Sequence, residues 1–237
     1  MAASAMRACA LPPWAADATL AHDTRWRAHD LLKLRRLPAS PNEPDWVRAA
    51  FTRAPFVVVR RAECAAGFVA VGVRGPERHA RYGTWVETAD IEAVVAPEDV
   101  AHAQPVVERT HFAAFVALNR VRDTQILSAY SWGPTGSAGF ELATGVPTAS
   151  ASSDLDLLLR TPDPLSRDAA RGLFDAVTAQ AALAGTRVDV QLETPLGGVA
   201  LGELAALKAR VMARGVRGPR LVADPWAPTD GKTQEPD

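Results

Sequence analysis

Two short segments constrain this chain more than any other feature: Ser153-Asp154-Leu155-Asp156-Leu157-Leu158-Leu159 and Arg187-Val188-Asp189-Val190-Gln191-Leu192. Each reads as a β-strand, the first as a short apolar run flanked by serine and proline, the second by clean alternation. Side chains two residues apart leave a strand by the same face. Asp154 and Asp156 therefore share one face, and Leu155, Leu157 and Leu159 the other. Val188 and Val190 likewise oppose Asp189 and Gln191. Such strands suit a layered fold with the apolar face buried and the carboxylates on the open side.

The punctuation around them extends the pattern. Asp163-Pro164 predicts a helix start, with Leu165, Ala169, Leu173, Ala176 and Val177 continuing an apolar face and Gly185 closing it. Upstream, Val106–Val121 has helical spacing, and Ser137 is placed to cap a short helix, Ala138–Thr144, that ends at Gly145. Downstream, Leu204, Leu207 and Val211 suggest a last helix over about Leu201–Arg214, stopping at Gly215. The first hundred residues differ. Trp46–Arg53 is a helix ended by Pro55. Phe56–Arg60 and Phe68–Val73 are β-branched runs, Gly75-Pro76 is a turn, and Arg81–Val86 and Ile91–Val95 suit further strands. The expected fold class is α+β or α/β. It comprises a small β-rich N-terminal domain (1–100), a C-terminal domain with a mixed sheet flanked by helices (101–222), and a flexible tail (223–237).

Composition removes several function classes. Of 237 residues, 48% are hydrophobic and 22% charged, so the chain can bury a core and is not of the disordered type. The 26 basic and 27 acidic side chains nearly cancel, leaving a formal charge of −1 and no basic excess for nucleic acid. No apolar run approaches the roughly 20 residues of a membrane span. Cys9 and Cys64 are too few for a disulfide scaffold or a zinc site. The apolar stretch within Met1–Ala16 is short and broken by Pro12-Pro13, unlike a signal peptide, so a cytoplasmic protein is expected.

Chemistry points to the aspartates. Two carboxylates on one strand face repel unless a cation lies between them, and an all-oxygen ligand set suits Mg2+ or Mn2+. Among 16 aspartates, about one Asp-x-Asp arises by chance, so the pair needs company. Gly136-Ser137 opens a helix whose free N–H groups can hold a phosphate, although a plain cap is an equally ordinary role for Ser137. If the two strands are neighbours, Asp189 adds a third carboxylate, able to bind a second metal or to accept the proton of an attacking hydroxyl. Arg74, Arg78 and Arg81 follow a Gly-rich turn and read either as an anion site or as a solvated loop. Arg160 suits a phosphate contact or a solvated strand end. His29-Asp30 are sequence neighbours, which seldom face each other productively. His111 reads as structural, and Trp132 either packs or stacks on a base.

Gly136-Ser137, Ser153–Leu157 and Val188-Asp189-Val190 resemble the signature of polymerase-β-type nucleotidyltransferases. The interval 138–153 is longer than that superfamily's usual one, implying a loop insertion over Val146–Ser152. A closer resemblance runs from Arg27 to Pro195. Its segments are Arg27–Leu32, Val71–Pro76 with Arg78 and Arg81, Trp132–Asp156 with Leu142–Gly145, and Arg187–Pro195. Together they are similar to the malonate decarboxylase holo-acyl-carrier-protein synthase family, the phosphoribosyl-dephospho-CoA transferases. That resemblance implies a C-terminal nucleotidyltransferase domain. It also implies transfer of 2′-(5″-phosphoribosyl)-3′-dephospho-CoA from a triphosphate donor to a serine of the apo acyl carrier protein of malonate decarboxylase, releasing pyrophosphate. On this reading Asp154, Asp156 and Asp189 ligate Mg2+ or Mn2+ and carry catalysis. Gly136 and Ser137 hold the triphosphate, while Arg74, Arg78 and Arg81 bind the substrate or an acidic carrier protein. A generic nucleotidyltransferase and a non-catalytic assembly factor are the alternatives. All three carboxylates are present, which argues against the second.

Overall fold

The β-branched runs of the first hundred residues pair with one another, and a second sheet follows them. A computed structural model describes residues 8–14, 18–21, 23–41, 43–77 and 80–228. The N-terminal elements are β1 (Ala8–Cys9), β2 (Leu20–Ala21), β3 (Leu31–Leu34), α1 (Trp46–Arg53), β4 (Phe56–Val59), β5 (Cys64–Ala65), β6 (Phe68–Arg74), β7 (Arg81–Glu87) and β8 (Ile91–Val95). The C-terminal elements begin with α2 (Ala113–Asp123), β9 (Ser131–Pro134), α3 (Gly136–Thr144), β10 (Leu155–Arg160) and α4 (Arg167–Leu183). They continue with β11 (Val188–Thr194), β12 (Gly197–Ala200), α5 (Leu201–Ala205), β13 (Val211–Gly215) and β14 (Gly218–Val222).

Among the described residues the strands form two six-stranded sheets and a β2–β5 ribbon. The first sheet has the order β1-β7-β6-β4-β3-β8, and its buried face (Leu32, Leu34, Val57, Val59, Val69, Val71, Val73) packs beneath α1. The second has the order β14-β13-β12-β11-β10-β9. Strands β10 and β11 run parallel, joined by α4 as a β-α-β crossover, while the other neighbours are antiparallel. Leu155, Leu157, Leu159, Val190 and Leu192 leave one face of this sheet and form a core with Phe115, Leu118 and Val177 from α2 and α4. The mixed α+β architecture expected from the sequence is the one observed.

Several local expectations give way to tertiary contacts. The helix expected over 201–214 is only α5. The chain turns at Leu207 (φ 54°), and Val211–Gly215 then alternates into β13 and forms a hairpin with β14. Val106–Arg109 does not extend α2: Val107–Arg109 is a 3-10 turn, and Arg109 instead reaches the buried Glu141. His111 consequently sits before α2, exposed, with its ring edge-on to Phe112. Helix α4 is capped by Ser166, whose hydroxyl accepts the Ala169 N–H at 3.1 Å, so Asp163-Pro164 precedes the helix rather than starting it. Gly185, with φ 75°, does close it. Gly136 is the first residue of α3 and Thr135 its cap, which places Ser137 inside the first turn. The tail is anchored where it was expected to be loose: Trp226 packs against the core, and its Nε1 donates to the Thr161 carbonyl at 2.8 Å. Residues 229–237 lie outside the described residues.

The polar face of the second sheet meets the first domain through charge. Arg160, at the end of β10, donates to Glu98 Oε1 at 2.7 Å and to Asp30 Oδ1 at 3.1 Å. The Asp30 side chain is 3% exposed and that of Arg160 11%. Burial raises the Asp30 pKa, against the opposing pull of the Arg27 N–H and the Arg160 guanidinium. Beside this pair, Arg61 bridges to Glu193, and a small apolar cluster of Leu31, Ala54 and Phe140 closes the seam. Removing one member of a buried ion pair strands the other without compensation. Arg160→Met is therefore expected to lower the unfolding free energy by roughly 3–5 kcal/mol, read from urea midpoints, whereas exposed Arg187→Met should change it by under about 1 kcal/mol.

Candidate active site

The parallel pairing sets Asp156 in register with Asp189, so both carboxylates project from the open face on strands roughly 4.8 Å apart. The sequence could not say that these strands were neighbours; the crossover through α4 makes them so. Asp154 lies one step earlier on the same face. Its carboxylate accepts from Arg187 Nη2 at 2.7 Å. The structure thus sets Asp156 beside Asp189 and draws Asp154 to an arginine. Among the described residues, no group of three or more His, Cys, Asp or Glu side chains stands ready-made as a metal site.

Gly136 explains how α3 approaches the carboxylates. Its φ is +59°, and a Cβ built there would stand 1.8 Å from Asp156 Oδ2. Only glycine permits both the left-handed backbone and this close approach. The Thr135 N–H also donates to the Asp156 carbonyl at 2.8 Å, tying the start of α3 to β10. The long interval after α3 is held by Glu141, which accepts the backbone N–H groups of Thr148 (2.7 Å) and Ala149 (2.9 Å) as well as Arg109. Burial pushes the Glu141 pKa up, but the Arg109 guanidinium and these two amides outweigh it and leave the carboxyl lowered. The loop leading to Asp154 is thereby fixed by a buried anion.

The opposite wall comes from the N-terminal domain. A cleft of about 990 Å3 lies between the two sheets, lined by Arg74, Arg81, Gly136, Asp156, Asp189 and Gln191 among others. Arg74, at the end of β6, crosses it and donates from Nη2 to Ser137 Oγ at 2.5 Å. The hydroxyl expected to cap a helix or hold phosphate thus already carries a cation from the other domain. Arg81 also lines the cleft, its guanidinium reaching the Ala80 carbonyl at 2.9 Å; Arg78 lies outside the described residues. Arg160 serves the domain seam rather than a phosphate. Trp132 is 9% exposed on the helix-covered face, so it packs and does not stack on a ligand. Cys64 is buried with its thiol pKa raised by burial, whereas Cys9 is exposed at the cleft rim.

His29, expected to carry no particular role, lines the cleft. Its backbone is left-handed (φ 74°), and its Nε2 lies 2.7 Å from Gln191 Nε2, on the strand face that carries Asp189. Burial, followed by the positive charges of Arg61 and Arg160, lowers its pKa to about 3, so the ring is neutral. Besides the family-resembling segment Arg27–Leu32, the signal in the sequence was the alternation Asp189-x-Gln191-x-Glu193, which marks partners on one face without naming what meets them.

Comparisons with known proteins agree with this arrangement. Residues 27–97 match the family model of the phosphoribosyl-dephospho-CoA transferase MdcG N-terminal domain, and residues 99–225 that of its C-terminal domain. A phosphoribosyl-dephospho-CoA transferase of Pseudomonas putida is 45% identical over 203 residues, covering 85% of this chain and 95% of the relative. Those of Pseudomonas aeruginosa (44% over 200 residues; 84% and 92%) and Azotobacter vinelandii (40% over 215 residues; 86% and 97%) are similar to the chain throughout. No solved structure matches. The protein is a transferase enzyme built of an N-terminal and a C-terminal domain. It belongs to the phosphoribosyl-dephospho-CoA transferase family.

Two outcomes follow from the geometry. Gly136→Ala forces the Asp156 carboxylate from its place, and a displacement of that order should lower kcat at least about 100-fold in a transfer assay on a folded protein. The neutral, half-buried His29 makes stability depend on pH. Its folded pKa of about 3 lies below the unfolded 6.5, so as pH falls the unfolded chain takes up the proton first. The His29 contribution is complete above about pH 6.5 and declines towards about pH 3; His29→Gln should flatten that limb of the Tm profile.

Proposed function

We propose that this enzyme transfers 2′-(5″-phosphoribosyl)-3′-dephospho-CoA from its triphosphate donor to a serine of the apo acyl carrier protein subunit of malonate decarboxylase, releasing pyrophosphate. The observation that carries the reading is the in-register Asp156–Asp189 pair facing the Gly136-Ser137 helix start, with Arg74 reaching Ser137. The similar phosphoribosyl-dephospho-CoA transferases of Pseudomonas putida and Pseudomonas aeruginosa support the transferred group.

The donor's triphosphate suits the start of α3, where first-turn N–H groups, the Ser137 hydroxyl and the Arg74 guanidinium offer donors to phosphate oxygens. The serine hydroxyl oxygen attacks the α-phosphorus and forms the new phosphodiester bond. The bond from that phosphorus to the β-phosphate oxygen breaks opposite it, and pyrophosphate leaves with the electron pair. Asp189, exposed on the cleft face, accepts the serine proton. Arg74 stays beside the departing negative charge. Catalysis of this type is chiefly positioning and charge neutralisation, and the seam of Arg160, Arg61 and His29 keeps the two walls at a fixed separation.

The residues fit a divalent cation. Asp156 and Asp189 supply hard oxygen ligands from adjacent strands, and the cradle at Gly136, which a Cβ would fill, brings phosphate to the same point. Mg2+ or Mn2+ would be held by these two carboxylates and by Asp154 once it leaves Arg187. When bound, it would neutralise phosphate charge and favour the ionised serine.

The test incubates the enzyme with Mg2+, the triphosphate donor and the apo carrier protein, with mass spectrometry of the carrier. A mass gain equal to the prosthetic group is expected. Asp156→Asn and Asp189→Asn should each lower the rate by at least about 1000-fold with the fold intact, and a chelator should stop the reaction until Mg2+ is restored. A carrier that gains nothing, while ATP labels some other acceptor, overturns the reading in favour of a generic nucleotidyltransferase.

A further inference from the structure

The sheet that carries Asp156 and Asp189 continues beyond the cleft. In the strand register Arg160, Glu193, Gly198, Arg214 and Pro219 form one row across β10, β11, β12, β13 and β14. Val211 and Ala213 point into the helix-covered core, so Met212 and Arg214 emerge on the carboxylate face. Pro219 and Leu221, paired with Arg214 and Met212, emerge there too. The first domain covers this face over β10 and β11, through Arg160, Arg61 and His29. Over β13 and β14 it lies open: Arg214, Pro219 and Leu221 are exposed, and Leu221 retains 58% of its surface.

Charge sets this shelf apart. Between Glu203 and Asp224 the chain holds Lys208, Arg210, Arg214, Arg217 and Arg220 and no carboxylate, although the whole protein has a formal charge of −1. Arg217 is bridged to Glu63 at 3.0 Å. Arg210 and Arg214, which alternate with Val211 and Ala213, belong to the carboxylate face and are exposed, with no salt bridge among the described residues, whereas Arg220, paired with Ala213, leaves by the opposite face. Arg214 also lines the cleft, so the shelf runs directly into the site.

We propose that the β13–β14 shelf is the docking surface for the acceptor protein, seated by an acidic patch of that partner against these cations. Met212, Pro219 and Leu221 form its apolar centre. The inference rests on the reading that the acceptor is a protein. A partner held there stands about two strands, roughly 10 Å, from the Asp189 strand, close enough for a serine on a short loop to enter the cleft past Arg214. An apolar centre within a cationic rim matches a protein interface better than a phosphate backbone, which asks for cations throughout. Opposite charge at the rim steers association and is screened by salt.

The test compares the wild-type enzyme with Arg210→Glu and with Leu221→Asp. Arg171→Glu, exposed on α4 over the opposite face, is the charge-matched control. All are checked for folding by circular dichroism. The shelf variants should raise the KM for the carrier protein about tenfold or more, leave kcat and the donor KM unchanged, and weaken carrier binding in calorimetry by a similar factor. Wild-type carrier affinity should fall with added salt, and Arg210→Glu should lose part of that dependence. Folded shelf variants with a wild-type carrier KM overturn the docking surface alone. So does self-association of the variants at unchanged KM, which would assign the arginines to protecting the β14 edge. A wild-type enzyme that modifies no protein overturns both this inference and the function it rests on.

Discussion

The parallel register of β10 against β11 is the constraint on which the site depends. Three successive pairs on the open face, Asp156 with Asp189, Leu158 with Gln191 and Arg160 with Glu193, set three separate tasks side by side. The first pair faces the start of α3. Gln191 meets His29, and Arg160 with Glu193 engages Asp30, Glu98 and Arg61 of the other domain and the connecting segment. A slip of one residue would exchange every one of these for a leucine or valine and bury the carboxylates in the core.

This arrangement couples domain docking to chemistry. The residues that close the seam and those that line the cleft follow one another along the same two strands, so the walls of the cleft cannot shift without disturbing both. A buried ion pair adds little stability over an apolar equivalent, but it fixes geometry strictly, because either charge left alone is costly. Arg74 shows the benefit. Its strand belongs to the N-terminal sheet, yet its guanidinium rests on Ser137 in the C-terminal one. The N-terminal domain is thus a wall of the site and not an appendage.

Much of the fold was legible because period and punctuation are local signals. The helix Trp46–Arg53 and the strands from Phe56, Phe68, Arg81, Ile91 and Leu155 were expected close to where they lie. The failures share a cause. Val211-Met212-Ala213-Arg214 suits a helix face as well as a strand, and only a hairpin partner beyond Gly215 decides between them. Ser166 rather than Asp163 caps α4, and Val106–Arg109 unwinds because Glu141 attracts Arg109. In each case a partner that the local pattern did not name, strand β14, the Ser166 hydroxyl or Glu141, outweighed a local preference of a few tenths of a kcal/mol.

For the site, the sequence by itself determined the residue types and the faces they occupy: alternation puts Asp154 with Asp156, and Asp189 with Gln191, whatever else the chain does. It also supplied the glycine that alone can lie against a carboxylate. Which strands are neighbours, that Arg187 draws Asp154 aside, that Arg160 belongs to a domain seam and that His29 reaches Gln191 were settled only by the tertiary structure. The physical reason is that facing direction follows from backbone geometry within a few residues. Partnership depends on which distant surfaces the folded core brings into contact, and no single segment carries that information.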